Sequence, residues 1–310
     1  MTVNRQSFWG YVRSHPMLYI MMIPMLLHLL LFSYLPMWGI SLAFRDYLPG
    51  MPLFPWQEGI KWTGFNNLEK MLTSEYAFRS VANTVVLSAL LIVFGFFLPI
   101  IFALLINEIR HRRYKKLTQT VSYLPHFISS AIIGGILVTF LSPNEGVINQ
   151  ILNFFGRDSV MFMQDARYFR TIYVITHMWR TFGWGSILYL GNIASIPVEL
   201  YESSMVDGAN RWRQIWHITL PGIKPTIFIL LILSMGSLIG GGELELVLML
   251  KNPANAATST TLALHIYEQG LKLGRYGSAA ALSLFQAVVS FILVFSVNFI
   301  NRRITGFGLW

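Results

Sequence analysis

No cysteine occurs among the 310 residues, which excludes disulfides and thiolate metal sites and leaves the compartment open. Charge is scarce too: only 12% of residues are charged against 54% hydrophobic, and that balance argues against a soluble fold. There is no G-x-x-x-x-G-K followed by Ser or Thr, so ATP is not bound by a phosphate loop of that kind. Neither a G-x-S-x-G elbow nor an H-E-x-x-H or H-x-x-x-H pair is present. The seven histidines, His28, His126, His177 and His265 among them, therefore suggest neither a metal centre nor a hydrolase. No internal repeat, low-complexity tract or long linker divides the chain, so residues 1–310 read as one domain.

What is present is a series of long apolar runs. About 20 such residues cross roughly 30 Å of hydrocarbon as a helix, and only helices or closed barrels satisfy every backbone group there. Six spans can be drawn: Met17 to Phe44, Val81 to Asn107, Val121 to Leu141, Tyr168 to Ile193, Ile223 to Leu250 and Ala279 to Ile300. The expected fold is an all-α polytopic membrane protein of six transmembrane helices. The first run is too long for a signal-peptide core and no A-x-A-like site follows it, so it reads as a retained anchor.

Orientation follows from lysine and arginine near the span ends. The segment Arg110-His111-Arg112-Arg113-Tyr114-Lys115-Lys116 places its loop in the cytoplasm. An even number of spans puts both termini there too, with Arg5, Arg13, Arg302 and Arg303. Acidic residues gather mostly in the outer loops, roughly Arg45 to Arg79, Ser142 to Arg167 and Lys251 to Ser278, so most of the net charge of +9 faces the cytoplasm. Anionic lipid headgroups account for that excess. Nucleic acid is the poorer reading, because no basic and aromatic module lies outside the spans.

One cytoplasmic break, about residues 195–222, carries the densest pattern. Pro197 suits a helix start, and Val198, Tyr201 and Met205 then share a face away from Glu199, Glu202 and Ser203. Gly208 ends or bends this short helix. A second is expected from Asn210 to Ile218, with Trp212, Ile215 and Trp216 supplying bulk, until Leu220-Pro221 redirects the chain into span five. An amphipathic helix lying on the headgroups is the bland alternative. The spacing is more specific than that: Glu202-Ser203-Ser204, Asp207-Gly208-Ala209, then Ile218 and Leu220-Pro221. This loop resembles the coupling loop of the permease subunits of ABC importers, whose pattern is Glu-Ala-Ala, three residues, Gly, nine residues, Ile, one residue, Leu-Pro. Ser203-Ser204 replaces the usual Ala-Ala, a small change that packing against a partner should survive. Looser similarity at Leu35-Pro36, Ala43-Phe44-Arg45-Asp46, Asn83-Thr84 and Leu273-Gly274-Arg275-Tyr276-Gly277 resembles the carbohydrate branch that handles oligosaccharides and polysaccharides.

The resemblance implies a type I ABC importer permease fold in a bacterial cytoplasmic (inner) membrane. It also implies four kinds of partner: a second related permease, two ATP-binding-cassette subunits that use ATP and Mg, an extracytoplasmic solute-binding protein, and membrane lipid. The permease itself would bind no cofactor and catalyse nothing. Its loop would seat in a cleft of the ATPase, with Glu202, Ser203, Ser204, Asp207, Gly208, Ala209, Ile218, Leu220 and Pro221 forming the contact, the bend and the tie to span five.

Substrate residues are read from chemistry instead. Sugars need hydrogen-bonding groups and aromatic faces, which singles out Trp179, Trp184 and Tyr189 in span four, although interfacial anchoring also explains aromatics. Intramembrane charge is costly and faces a cavity or a partner, which adds Arg180, Glu243 and Glu245. For Arg180 the alternatives are snorkelling and a structural ion pair. Gly240-Gly241-Gly242 either unwinds span five near a substrate or merely kinks it. Two rival classes stay open: an ATP-independent carrier or channel, for which the loop has no task, and a membrane enzyme, for which no nucleophile and base pair is evident.

Overall fold

A computed structural model describes residues 10, 13–238 and 243–309. Helix α1, Pro16–Leu29, runs on through a π-turn at Leu30–Tyr34 and a 3-10 segment at Leu35–Phe44. After α2, Asn66–Thr73, helix α3, Glu75–Leu90, passes through a π-turn at Leu91–Phe96 into α4, Phe97–Asn107. Next come α5, Arg112–Tyr123, with a 3-10 turn at Leu124–Phe127, then α6, Ser130–Phe140, α7, Val147–Phe154, and α8, Ala166–Ile193. Two short helices, α9 at Val198–Val206 and α10 at Arg211–Gln214, precede a π-turn at Ile215–Thr219 and α11, Leu220–Leu238. The chain closes with α12, Leu244–Leu250, α13, Ala256–Ser259, α14, Leu262–Tyr267, and α15, Tyr276–Thr305. Among the described residues the only β-pairing is one bridge between Arg45 and Trp62.

Among the described residues four helices are both long and apolar enough to cross a membrane: Pro16–Phe44, Glu75–Asn107, Arg211–Gly236 and Tyr276–Thr305. The third expected span is not one straight helix. It is a pair, Arg112–Phe127 and Ser130–Phe140, bent by 95°. Pro125 lies in the bend, and Ser129 caps the second arm by accepting from the Ile132 amide at 3.3 Å. The fourth, α8, has the length at 28 residues, but His177, Arg180 and Asn192 dilute its apolar character. Six spans are reached only by counting the bent pair and α8. The reason α8 tolerates polar groups is its position. It contributes Phe169, Tyr173 and Val174 to one core with α3 and α12, and Tyr189 and Ile193 to another with α4 and α11. Enclosed on several sides, it needs little lipid-facing surface, and packing and hydrogen bonds replace hydrophobic drive as its source of stability.

The expectation that Leu220-Pro221 redirects the chain is corrected. Helix runs from Arg211 to Gly236 through Pro221. A proline ring removes one N–H and presses on the carbonyl four residues back, and here that residue, His217, lies in the π-turn that widens the helix. Pro36 and Pro99 follow π-turns in the same way. Span five is likewise not continuous to Leu250: Glu243 has extended backbone and α12 begins afresh at Leu244. Gly240-Gly241-Gly242 lies outside the described residues.

Candidate functional site

The loop between α8 and α11 is a knob of two short helices set nearly free of the rest of the chain. Helix α9 ends in a Schellman turn: the Ala209 amide donates to the Ser204 carbonyl at 2.9 Å and the Gly208 amide to the Met205 carbonyl at 3.1 Å. Gly208 supplies the left-handed residue this turn requires, at φ +77°. Asn210 then starts α10 by accepting from the Arg213 amide at 2.9 Å. The two helices are bound to each other by side chains. Gln214 donates to the Ser204 hydroxyl at 2.9 Å, and the Tyr201 and Thr219 hydroxyls meet at 3.0 Å. Ser204, where the coupling-loop pattern it resembles has alanine, is thus used inside the knob, whereas Ser203 is exposed and bonds its own helix, at the Leu200 carbonyl.

Glu202, Met205, Val206, Asp207 and Gly208 form the exposed tip, with Val206 89% exposed. Ala209, Ile218 and Leu220 are half-buried, Pro221 is exposed, and Trp212 and Trp216 stand out from the second helix. A carboxylate thus lies beside Met205 and Val206, whose side chains no described residue covers. Arg211 reaches across to Glu108 at 3.2 Å, fixing the knob beside the end of α4 and next to the basic segment Arg110–Lys116. From there α4 and α3 run back over 33 residues, about 50 Å, to the opposite end of the molecule.

At that far end the scattered motif pieces come together. Gly277 lies so close to Arg45 that a Cβ there would meet the Arg45 carbonyl oxygen at 2.9 Å. Arg45 itself is buried and donates to the Leu53 carbonyl at 2.7 Å. Asn83 donates to the carbonyls of Ala257 and Thr260 at 2.9 and 3.1 Å and accepts from Arg170 at 2.9 Å, while the Thr84 hydroxyl accepts from the Leu262 amide. Nearby, Lys251 and the Tyr76 hydroxyl both bond Glu268. Burial pushes Glu268 up, but the Lys251 ammonium and the Tyr76 hydroxyl outweigh that and hold it below the ordinary carboxylate range. Burial pushes His265 down, against the opposing pull of the Glu268 carboxylate.

Between the two ends a cavity of about 450 Å³ is lined by Phe96, Pro99, His177, Tyr189, Ser234 and Glu243 among others. Behind Glu243, Arg180 forms an ion pair with its carboxylate and donates to the Ser130 hydroxyl at 2.8 Å. That hydroxyl donates to Glu243 at 3.1 Å, and the His177 ring lies 3.7 Å from the other carboxylate oxygen. The Glu243 amide donates to the Tyr173 hydroxyl at 2.7 Å.

The structure therefore gathers Tyr189 and Glu243 on the cavity, with Arg180 directly behind. The other three candidates stand elsewhere. Trp179 and Glu245 are exposed, and Trp184 stacks on His126 at 4.7 Å. Sequence reasoning missed His177, Tyr173 and Ser130. His177 lies one helical turn before Arg180, a signal that was available; Ser130 and Tyr173 carried none. No group of three or more metal-ligating side chains occurs among the described residues.

Residues 95–306 match the family described as the inner membrane component of binding-protein-dependent transport systems. The chain is 38% identical over 293 residues to the polygalacturonan/rhamnogalacturonan transport system permease protein YteP of Bacillus subtilis, covering 94% of this chain and 90% of that one. In structure it is similar to a chain of a bacterial alginate ABC transporter crystallised in complex with an alginate pentasaccharide-bound periplasmic protein. There the TM-score is 0.89 at 39% identity, covering 98% of this chain and 100% of the other. A second crystal structure, of a bacterial ABC transporter involved in the import of the acidic polysaccharide alginate, matches with a TM-score of 0.88 at 40% identity, covering 97% of this chain and 100% of that one.

Proposed function

Because the chain belongs to the family of inner-membrane components of binding-protein-dependent transport systems, as a permease and not an ATPase, we propose that it forms one half of the pathway of an oligosaccharide importer. The other half is a second, related permease. Two ATP-binding-cassette subunits bind ATP and Mg, one of them seating this chain's knob in its cleft, and a solute-binding protein delivers the sugar at the far end, where Arg45, Asn83 and Arg275 lie. The observation that carries this reading is the knob itself. A rigid two-helix unit, closed by the Gly208 turn and tied through a continuous helix to α11, ends in an uncovered apolar and acidic tip.

Alternating access follows from that connection. Closure of the ATPases on nucleotide would move two knobs, and α11 would carry the motion to the walls of the cavity at Tyr189 and Glu243. The knob shares its end of the molecule with Arg110–Lys116, which supports a cytoplasmic knob and cytoplasmic termini, the whole chain acting as one membrane domain. Most of Pro16–Phe44 is uncovered and would face lipid or the second permease.

Gentle purification from the native membrane, followed by mass spectrometry and an ATPase assay, tests the proposal. Recovery of a second polytopic chain with an ATP-hydrolysing subunit is the expected result. A lone chain indifferent to ATP would favour a secondary carrier.

A further inference from the structure

Two interruptions of regular helix meet one unbroken helix at a polar cluster. Ser130 opens α6 just after the 95° bend, Glu243 precedes α12 on the far side of the break in span five, and Arg180 sits near the middle of α8. Arg180 and Glu243 balance each other's charge, Ser130 bridges them, and the start of α6 adds the partial positive charge of its free amides. The guanidinium and the Ser130 hydroxyl thus make a site built to hold a carboxylate, and the chain fills it with its own. Glu243 is also the member of the pair that lines the cavity. Arg180 Nε is buried with no hydrogen-bond partner among the described residues, so the guanidinium has donor capacity that Glu243 does not use.

We propose that this is a carboxylate-exchange site: a uronate group of an acidic sugar in the cavity takes the place of Glu243 on Arg180 and Ser130, and Glu243 returns as the sugar leaves. The proposal rests on the reading of the chain as an oligosaccharide permease. A buried guanidinium stripped of its partner is strongly unfavourable, whereas replacing one carboxylate by another keeps it paired throughout. A neutral sugar has hydroxyls but no charge to put in place of the carboxylate, and leaves the ion pair closed. The site therefore selects for acidic sugars by exchange, without ever exposing a bare charge in the membrane.

The test uses the complete complex in liposomes with its binding protein, ATP and short uronate oligosaccharides, alongside their methyl esters and a free monocarboxylate. Uptake of the uronates is expected to fall at least tenfold in Arg180→Gln and partially in Arg180→Lys. In Glu243→Gln uptake persists, with a lower KM because the internal competitor is gone. The decisive variant is the pair Arg180→Gln/Glu243→Gln. If the ion pair were only structural, the double variant would recover what the single variants lose, and that recovery would overturn the proposal. Exchange predicts that it stays as defective as Arg180→Gln. Should Arg180→Gln fail to assemble, Glu243→Gln and the double variant still decide. Uptake of the methyl esters equal to that of the acids would overturn exchange while leaving an oligosaccharide permease; a free monocarboxylate carried as well as the uronates would overturn the sugar requirement. A complex that moves no sugar with ATP would remove the underlying reading instead.

Discussion

Replacing Gly208 examines the knob at its most constrained point. Its φ of +77° lies in the left-handed region, and a Cβ built there meets nothing within 4 Å in this chain. The cost of a side chain is thus conformational. Alanine should destabilise the turn by about 1 kcal/mol, and valine, β-branched, by about 2 kcal/mol; these are roughly fivefold and thirtyfold shifts away from the closed knob. Asparagine tolerates left-handed backbone and should lie closest to wild type. None of the three disturbs the spans, so membrane insertion should be unchanged. The assay is ATP hydrolysis by the purified complex, stimulated by sugar-loaded binding protein, with amide exchange at residues 205–209 reporting the turn itself. Coupling should fall in the order Gly, Asn, Ala, Val, in step with exchange. A valine variant with a loosened turn and full coupling would refute the reasoning, because the closed knob would then be dispensable.

Asn83→Ala removes three hydrogen bonds, leaves two carbonyls and Arg170 without their partner, and should cost about 2–3 kcal/mol, seen as a lower melting temperature in detergent and faster exchange around residues 257–262. Arg211→Ala and Glu108→Ala cut an exposed pair, so a double-mutant cycle should return less than about 1 kcal/mol and coupling should survive. Acidification should loosen the far end. Glu268 is held below its ordinary value, so its contribution is present at neutral pH and lost as pH falls through its folded pKa. His265 is also lowered, and its contribution declines as pH falls below about 6.5, the ordinary histidine value. Faster exchange in residues 262–272 at pH 5 than at pH 7.5 is expected from His265, and a further rise below pH 4.5, the ordinary glutamate value, from Glu268; pH-independent exchange across that whole range, after correction for chemistry, would contradict it.

The knob was legible because glycine and proline punctuate backbone geometry wherever they stand: Gly208 needs its turn, and Pro197 its helix start. The composition of the spans was equally plain. Their interruptions were not, since an apolar run such as Val121 to Leu141 has the same hydropathy whether its helix is straight or bent by 95°. Leu220-Pro221 misled for a related reason. Proline signals a break, but a π-turn at Ile215–Thr219 accommodates it within the helix, and nothing in the residue pattern announces that turn. The cavity cluster was half visible. Arg180 and Glu243 stood out as charges in lipid, yet their pairing, and Ser130 between them, depends on elements far apart in sequence that only the fold brings together. Trp179 and Trp184 fit sugar chemistry by type, but at these positions the helix turns one outward and sets the other on His126.

The absence of native cysteine allows a direct look at the tip of the knob. With Val206→Cys as the sole thiol in this chain, maleimide labelling should be fast when the chain is alone, since Val206 is 89% exposed, and strongly suppressed in the assembled complex. Release of the ATP-hydrolysing subunits should restore it. Equal labelling in the chain alone and in a transport-competent complex would mean that the tip is not seated in a partner, and would contradict the claim that the knob carries the force of ATP hydrolysis into the membrane.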